Sequence, residues 1–279
     1  MEACPPRPFL TGTAVALQSR VDVAWRGIAL RRDAFLRPVC LAVGAYGRAI
    51  GVRTRMLGRN LVKHWLFRDL SIRSEAFGRE HMADLAVRFI RDNGIPGSYL
   101  EFGVWRGAMF AQFYHTLRRY RMQRSLVAFD SFQGLPEARG IDAGPNVQRF
   151  APGTFRCSQA DFVHELARWG VAPGRYLMIP GFFRDSLTPD LYQLPQLARA
   201  ALVWIDSLYY ESATALLEFV EPILEDGAVL MFNSYYRFAG RPDLGEQRAI
   251  SEFLLGHPMV SMTPYAEFGG AGRAFIAHR

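Results

Sequence analysis

Short runs that are apolar at nearly every position recur along this chain, and each leads into a segment with helical spacing. "SLVAFDSF" (125–132), "AALVWID" (200–206) and "AVLMFNSY" (228–235) are the clearest. A strand with one face in water alternates apolar and polar residues, whereas a strand apolar throughout is covered on both faces. Parallel strands joined by crossover helices provide that cover. From residue 71 onward the chain is therefore expected to be α/β, a doubly wound and mostly parallel sheet with helices on both faces.

The remaining elements complete that pattern. Helical spacing marks "REHMADLAVRFIRDNGI" (79–95), "GAMFAQFYHTLRRYR" (107–121), "SQADFVHELARWG" (158–170), "SATALLEFVEPILEDG" (212–227) and "GEQRAISEFLLGH" (245–257). Further strands fall at "SYLEFGV" (98–104) and "YLMIPGFF" (176–183). "VSMTPY" (260–265) and "RAFIAHR" (273–279) read as a closing hairpin that adds an antiparallel strand and brings the sheet to seven.

Charge divides the chain. Residues 1–70 hold 12 Lys+Arg against 4 Asp+Glu, net +8; residues 71–279 hold 21 against 22, net −1; together they give +7. Residues 14–68 mix arginines and apolar residues at roughly helical spacing, so 1–70 is expected to be a basic amphipathic helical extension (a cap, lid or oligomer contact) preceding the domain at 71–279. Its apolar face would pack on that domain or on a second copy, which makes a homo-oligomer the expected assembly. Peripheral contact of 14–68 with a membrane surface is the less favoured alternative. Lys63 is the only lysine, and no nucleic-acid module accompanies the arginines, so nucleic acid is not an expected partner. Cys4, Cys40 and Cys157 show neither C-x-x-C nor metal spacing, which fits a reducing cytoplasm. The uncharged run "PVCLAVGAYG" (38–47) is too short to span a bilayer, and the amino terminus does not read as a signal peptide.

In an open α/β sheet, ligands bind beyond the carboxyl ends of the strands. After the first strand stands "LEFGVWRGAMF", in which Glu101, Gly103 and Gly107 form an E-x-G-x-x-x-G turn into a helix. It is not G-x-G-x-x-G, and an acid here repels a pyrophosphate but attracts an ammonium group. The second strand ends on Asp130, where a carboxylate can accept bonds from ribose hydroxyls or simply serve a turn.

With these motifs in order, "YLEFGVWRGAMF", "AFDSFQGLPE", "PGFFRDSL" and "WIDSLYYESATALLEFVEPILEDGAVLMF" resemble the macrocin O-methyltransferase family over roughly residues 75–256. The resemblance implies a Rossmann-like class I methyltransferase that uses S-adenosylmethionine to methylate sugar hydroxyls of natural products. It implies cofactor contacts at Glu101, Phe102, Gly103 and Gly107 for the methionine end and at Asp130, Ser131 and Phe132 for the ribose. It also implies that Pro180 to Phe183, with Gly181 and Phe182, line the pocket, and that Asp206 reaches the cofactor.

Two departures mark this chain. Where the family reads I-D-x-D-L-Y-E-S-T after the fourth strand, Leu208 replaces the second aspartate; where it carries an Asp-Asp pair after the fifth strand, Asn233 and Ser234 stand. The family's aspartates gather a magnesium ion, and here only Asp206 and the amide oxygen of Asn233 are left to hold one. Sugar hydroxyls are weak acids, so transfer needs a base or a metal. Asp206 is the expected general base, with Tyr210 as a second catalytic candidate. Tyr209, Tyr235 and Tyr236, together with Glu211, Glu246 and Arg248, are candidates to hold a small-molecule or glycoside acceptor. Two alternatives follow from the lost acids: the same cofactor fold with another acceptor or a non-methylating reaction, and a non-catalytic cofactor-binding subunit acting through its basic amino-terminal region.

Overall fold

The structure, a computed structural model, describes residues 70–279 apart from 146, 148 and 149, with side chains from Gly78 onward. The expected amino-terminal extension lies outside the described residues.

Helix α1 (Leu70–Asp92) leads into β1 (Ser98–Phe102), α2 (Ala108–Arg119) and β2 (Leu126–Asp130). Next come α3 (Gln159–Arg168), β3 (Leu177–Pro180), the single turn α4 (Phe183–Ser186) and β4 (Ala200–Ile205). Then α5 (Tyr210–Val220), β5 (Leu224–Phe232), α6 (Gly245–Gly256), β6 (Ser261–Phe268) and β7 (Gly272–His278) complete the chain. Among the described residues, seven strands form one sheet in the order β3-β2-β1-β4-β5-β7-β6. Strands β1 to β5 are parallel, and β7 runs antiparallel to both of its neighbours. The expected α/β architecture and closing hairpin are therefore present.

The helix expected over 212–227 is shorter than its apolar spacing predicts. It ends at Val220, and β5 begins at Leu224. Pro222 carries no amide hydrogen to continue the helical ladder, so the chain leaves through a 3-10 turn at Glu221–Ile223.

Strand alternation sorts the core into two layers. Tyr99, Ala128, Leu202, Trp204, Val229 and Met231 face the layer of α1, α2 and α3, around Val87, Phe110, Phe113 and Leu166. Leu100, Phe102, Val203, Ile205, Leu230 and Phe232 face the layer of α5 and α6, around Leu216, Leu217, Ile250 and Phe253. With both faces covered, the carboxyl edge of the parallel strands is where side chains of β1, β2, β4 and β5 can meet a ligand. The strand order reverses between β1 and β4, which puts the switch point at Phe102 and Ile205.

Candidate active site

The ladder runs one step past the strand ends. Gly103 N–H donates to Phe129 O at 2.8 Å, Asp206 N–H to Phe102 O at 2.8 Å, Asn233 N–H to Ile205 O at 2.8 Å, and Gly181 N–H to Asp130 O at 2.9 Å. Gly181, Asp130, Gly103, Asp206 and Asn233 thus stand side by side as a shelf at the carboxyl edge. Gly103 takes φ +87°, and a β carbon there would lie 2.5 Å from the Asp206 carbonyl oxygen, so this position admits only glycine.

Four acids come close at this edge. Glu101 is 1% exposed and accepts the Tyr99 hydroxyl from two residues back on the same strand face. Burial pushes its carboxyl well above the usual range, against the Tyr99 hydrogen bond, and Asp206 and Asp130 push it further. Asp130 Oδ1 accepts Phe132 N–H at 2.8 Å, and its Oδ2 accepts Trp105 N–H at 2.9 Å. Asp130 therefore braces the turn after β1, and burial raises its carboxyl despite these backbone bonds. A carboxylate has about four lone-pair sites, so acceptor capacity remains on it for a ligand hydroxyl. Asp206 stands exposed at the β4 tip, with Ser234 Oγ 3.5 Å from its Oδ1. Glu246, from α6, is 1% exposed beneath these tips.

The other expected residues divide into those at the shelf and those elsewhere. The Phe102 ring is in the core, stacked on Phe129 at 4.4 Å, so only its backbone reaches the shelf. Gly107, φ +76°, opens α2 against Leu166 and Phe162. Ser131 Oγ closes its own turn, donating to Gly134 O at 2.8 Å, while the Phe132 ring is buried 5.6 Å from that of Phe162. Phe182 precedes α4 and stays partly exposed beside Gly181. Tyr209 is buried, and its hydroxyl accepts Phe150 N–H at 3.5 Å. Tyr210 donates its hydroxyl to Glu252, beneath the Arg248 guanidinium, and Arg248 also bonds Glu252 at 2.8 Å. Tyr235 packs 4.9 Å from Tyr236, whose hydroxyl is bound to Glu267. Glu211 stays exposed. So Glu101, Asp130 and Asp206 converge, whereas the hydroxyls of Tyr210 and Tyr236 are committed to surface acids. Glu246, expected to hold an acceptor, is instead buried, because α6 starts tight against the β4 and β5 tips.

Sequence reasoning passed over Tyr99 and Asp142. Tyr99 was legible: residues two apart on a strand share a face, so Y-x-E pairs a phenol with an acid. Asp142 lies in "GIDAG", with no periodicity to mark it, yet it is buried and accepts Tyr210 N–H at 2.8 Å and Glu211 N–H at 3.0 Å.

The donor set does not fit a carboxylate-held divalent cation. Leu208 sits at φ +62° in a turn closed by Tyr209 N–H to Ser207 O at 2.7 Å, and its side chain joins Val147, Tyr209 and Leu244 in an apolar cluster. The Glu246 oxygens already accept Ser207 Oγ at 3.4 Å and Ser234 N–H at 3.0 Å. Among the described residues no three His, Cys, Asp or Glu side chains gather as metal ligands.

The family model described as "Macrocin-O-methyltransferase (TylF)" matches residues 63–251, more than half of the chain. The chain belongs to the macrocin O-methyltransferase family. Two of the relatives of this family member by sequence are O-methyltransferases whose names state their acceptors. Mycinamicin III 3''-O-methyltransferase of Micromonospora griseorubida is 26% identical over 175 residues, covering 61% of this chain and 65% of that one. The 8-demethyl-8-(2,3-dimethoxy-alpha-L-rhamnosyl)-tetracenomycin-C 4'-O-methyltransferase of Streptomyces olivaceus is 27% identical over 154 residues, 53% of this chain and 57% of that one. The aligned part thus spans less than two thirds of either relative. Among solved structures, the O-methyltransferase NovP shares the fold at TM-score 0.60 and 20% identity, over 72% of this chain and 80% of that chain. CalS11, a calicheamicin methyltransferase, aligns at TM-score 0.55 and 25% identity, over 71% and 77%. Among the described residues, no helix of this family member is long and apolar enough to cross a membrane.

Proposed function

We propose that this chain is an S-adenosylmethionine-dependent O-methyltransferase acting on a sugar hydroxyl of a glycosylated natural product or polysaccharide precursor. The observation that carries this reading is the convergence of Glu101, Asp130 and Asp206 on the glycine shelf at the switch point. A site with several acids and a close-approach glycine suits a ligand that carries an ammonium and a second cationic centre on a nucleoside. The names of the relatives support the reaction and the sugar acceptor.

When bound, S-adenosylmethionine supplies an electrophilic methyl group. Glu101 offers its charge to the ammonium end, and Asp130 offers its free lone pairs to ribose hydroxyls. Asp206, exposed at the β4 tip, would take the proton of the acceptor hydroxyl while the methyl passes from the sulfonium sulfur to the hydroxyl oxygen, leaving neutral S-adenosylhomocysteine. No step here is assigned to a metal, because the residues at the tips do not fit one. Holding acceptor and cofactor together on the shelf supplies the rest through proximity.

The test is calorimetric titration of the full chain with S-adenosylhomocysteine, paired with turnover of mycinamicin III by wild type and Asp206→Asn. Binding that survives in the variant while turnover is lost supports the reading. Failure of the wild type to bind millimolar S-adenosylhomocysteine would overturn it, and unchanged turnover in Asp206→Asn would remove the base assignment.

A further inference from the structure

We propose that Glu246 is a positioning residue: its carboxyl group clamps the tips of β4 and β5 together and so sets where Asp206 and Asn233 stand. The inference deepens the reading above and rests on it for the role of Asp206.

Strands β4 and β5 are paired up to Ile205 and Phe232, and Asn233 N–H still reaches Ile205 O at 2.8 Å. One residue further on they have no ladder bond to each other. There Glu246 reaches in from α6. Its Oε2 accepts Ser234 N–H at 3.0 Å, and its Oε1 accepts Ser207 Oγ at 3.4 Å. Ser207 directly follows Asp206, and Ser234 directly follows Asn233, so a single side chain fixes the residue after each shelf donor.

The entry angle of α6 makes this reach possible. Gly245 begins the helix at φ +54°, where a β carbon would meet the Phe238 ring at 2.8 Å and the Leu208 carbonyl oxygen at 3.3 Å. The helix therefore starts against the turn that follows Asp206. Burying a carboxyl group is unfavourable unless its oxygens are satisfied, and here a backbone amide and a hydroxyl satisfy them. Both Glu246 oxygens are taken, one by the Ser207 hydroxyl and one by the Ser234 amide, so its effect on the site passes through those two residues.

The arrangement answers the two departures at the strand tips. Carboxylates gathered around a cation would tie β4 to β5 from the ligand side. With Leu208 turned into an apolar cluster and Asn233 and Ser234 uncharged, the tie comes from the protein side instead.

Amide NMR of the full chain tests this with Glu246→Ala and Glu246→Gln. In wild type the Ser234 amide proton should lie downfield. In Glu246→Ala it should move upfield and exchange about ten-fold faster, the equivalent of one lost hydrogen bond, while Val203 and Leu230 keep their protection. Glu246→Gln replaces a carboxylate by a weaker neutral acceptor and should leave the Ser234 amide between the two; a change spread evenly through the sheet, or no change at Ser234, overturns the proposal. Should Glu246→Ala not fold, the glutamine variant decides: an unchanged Ser234 signal is the overturning result. Millimolar Mn2+ should leave Asp206 and Asn233 signals sharp, and selective broadening there would mean that a cation ties the tips. A parallel titration with S-adenosylhomocysteine keeps the two readings apart: if wild type fails to bind it, the cofactor reading falls while the Ser234 amide still judges the clamp.

Discussion

A β carbon on Gly103 would stand 2.5 Å from the carbonyl oxygen of Asp206. The first and fourth strands leave the sheet side by side, and their tips touch backbone to backbone at the switch point. Gly103→Ala must therefore either move the Asp206 peptide or abandon φ +87°. The expected loss is about 2 kcal/mol or more of stability, with weakened binding of S-adenosylhomocysteine. Urea unfolding together with calorimetry measures both; a loss below about 0.5 kcal/mol would show that the tips have room.

Glu101 predicts a pH dependence. Burial, then the fields of Asp206 and Asp130, hold its folded-state pKa well above the ordinary 4.5, against the Tyr99 bond. A group raised in this way stabilises the ligand-free fold fully below about pH 4.5 and loses that contribution as pH rises through the folded value. A cationic ligand favours the ionised form, so binding of S-adenosylmethionine should release a proton within this window and tighten with rising pH. Calorimetry in two buffers of different ionisation enthalpy reads the proton. Glu101→Gln should flatten the pH dependence, and an equally steep dependence in that variant would assign it to another group.

What the sequence made legible follows from period. Apolar runs such as Ala201–Ile205 are too short for a helix and rich in strand formers, so they read as strands covered on both faces, and Asp130 and Asp206 then fall at strand tips. Glycine spacing marked Gly103 and Gly107 for the same reason, since a turn with positive φ is written in the residue type. Glu246 was harder, because one acid in the first turn of an exposed-looking helix has the same spacing whether it points to water or under the β4 tip. Only the entry angle of α6 settles that, and it depends on Gly245 meeting Phe238. Leu208 shows the same limit. Its loss of charge was visible, but not that a leucine would hold φ +62° and turn into an apolar cluster with Val147 and Leu244.

Leu208 offers a third prediction. Positive φ on a leucine costs on the order of 1 kcal/mol, and aspartate tolerates that conformation better. Leu208→Asp relieves the backbone but places a carboxylate among Val147, Tyr209 and Leu244, which costs more than the strain it removes. The variant should be less stable by about 1–3 kcal/mol. It should also not gain Mn2+ affinity, because the side chain at 208 sits in that apolar cluster and not beside the Asp206 carboxylate. Sub-millimolar Mn2+ binding in Leu208→Asp would show that one added acid rebuilds a cation site.

The last prediction concerns Asp142, which caps α5 from a distant loop. The residue before the helix, Tyr209, supplies no side-chain cap, and the amides of Tyr210 and Glu211 donate instead to Asp142 Oδ1 and Oδ2 at 2.8 Å and 3.0 Å. A carboxylate at a helix amino terminus satisfies otherwise unpaired donors and meets the positive end of the helix dipole. Here the same contact ties the 140–143 turn to the segment that follows Asp206. Asp142→Ala leaves two partly buried amides without partners, so stability should fall by about 1–3 kcal/mol. Asp142→Asn keeps one acceptor oxygen and should recover part of that loss. The effect should extend beyond the helix, since releasing the turn frees one wall beside Tyr209 and Phe150. Hydrogen exchange should show faster opening in both residues 135–145 and the first turn of α5. Faster opening in the helix alone would mean that the cap is local and the loop is held by its apolar contacts.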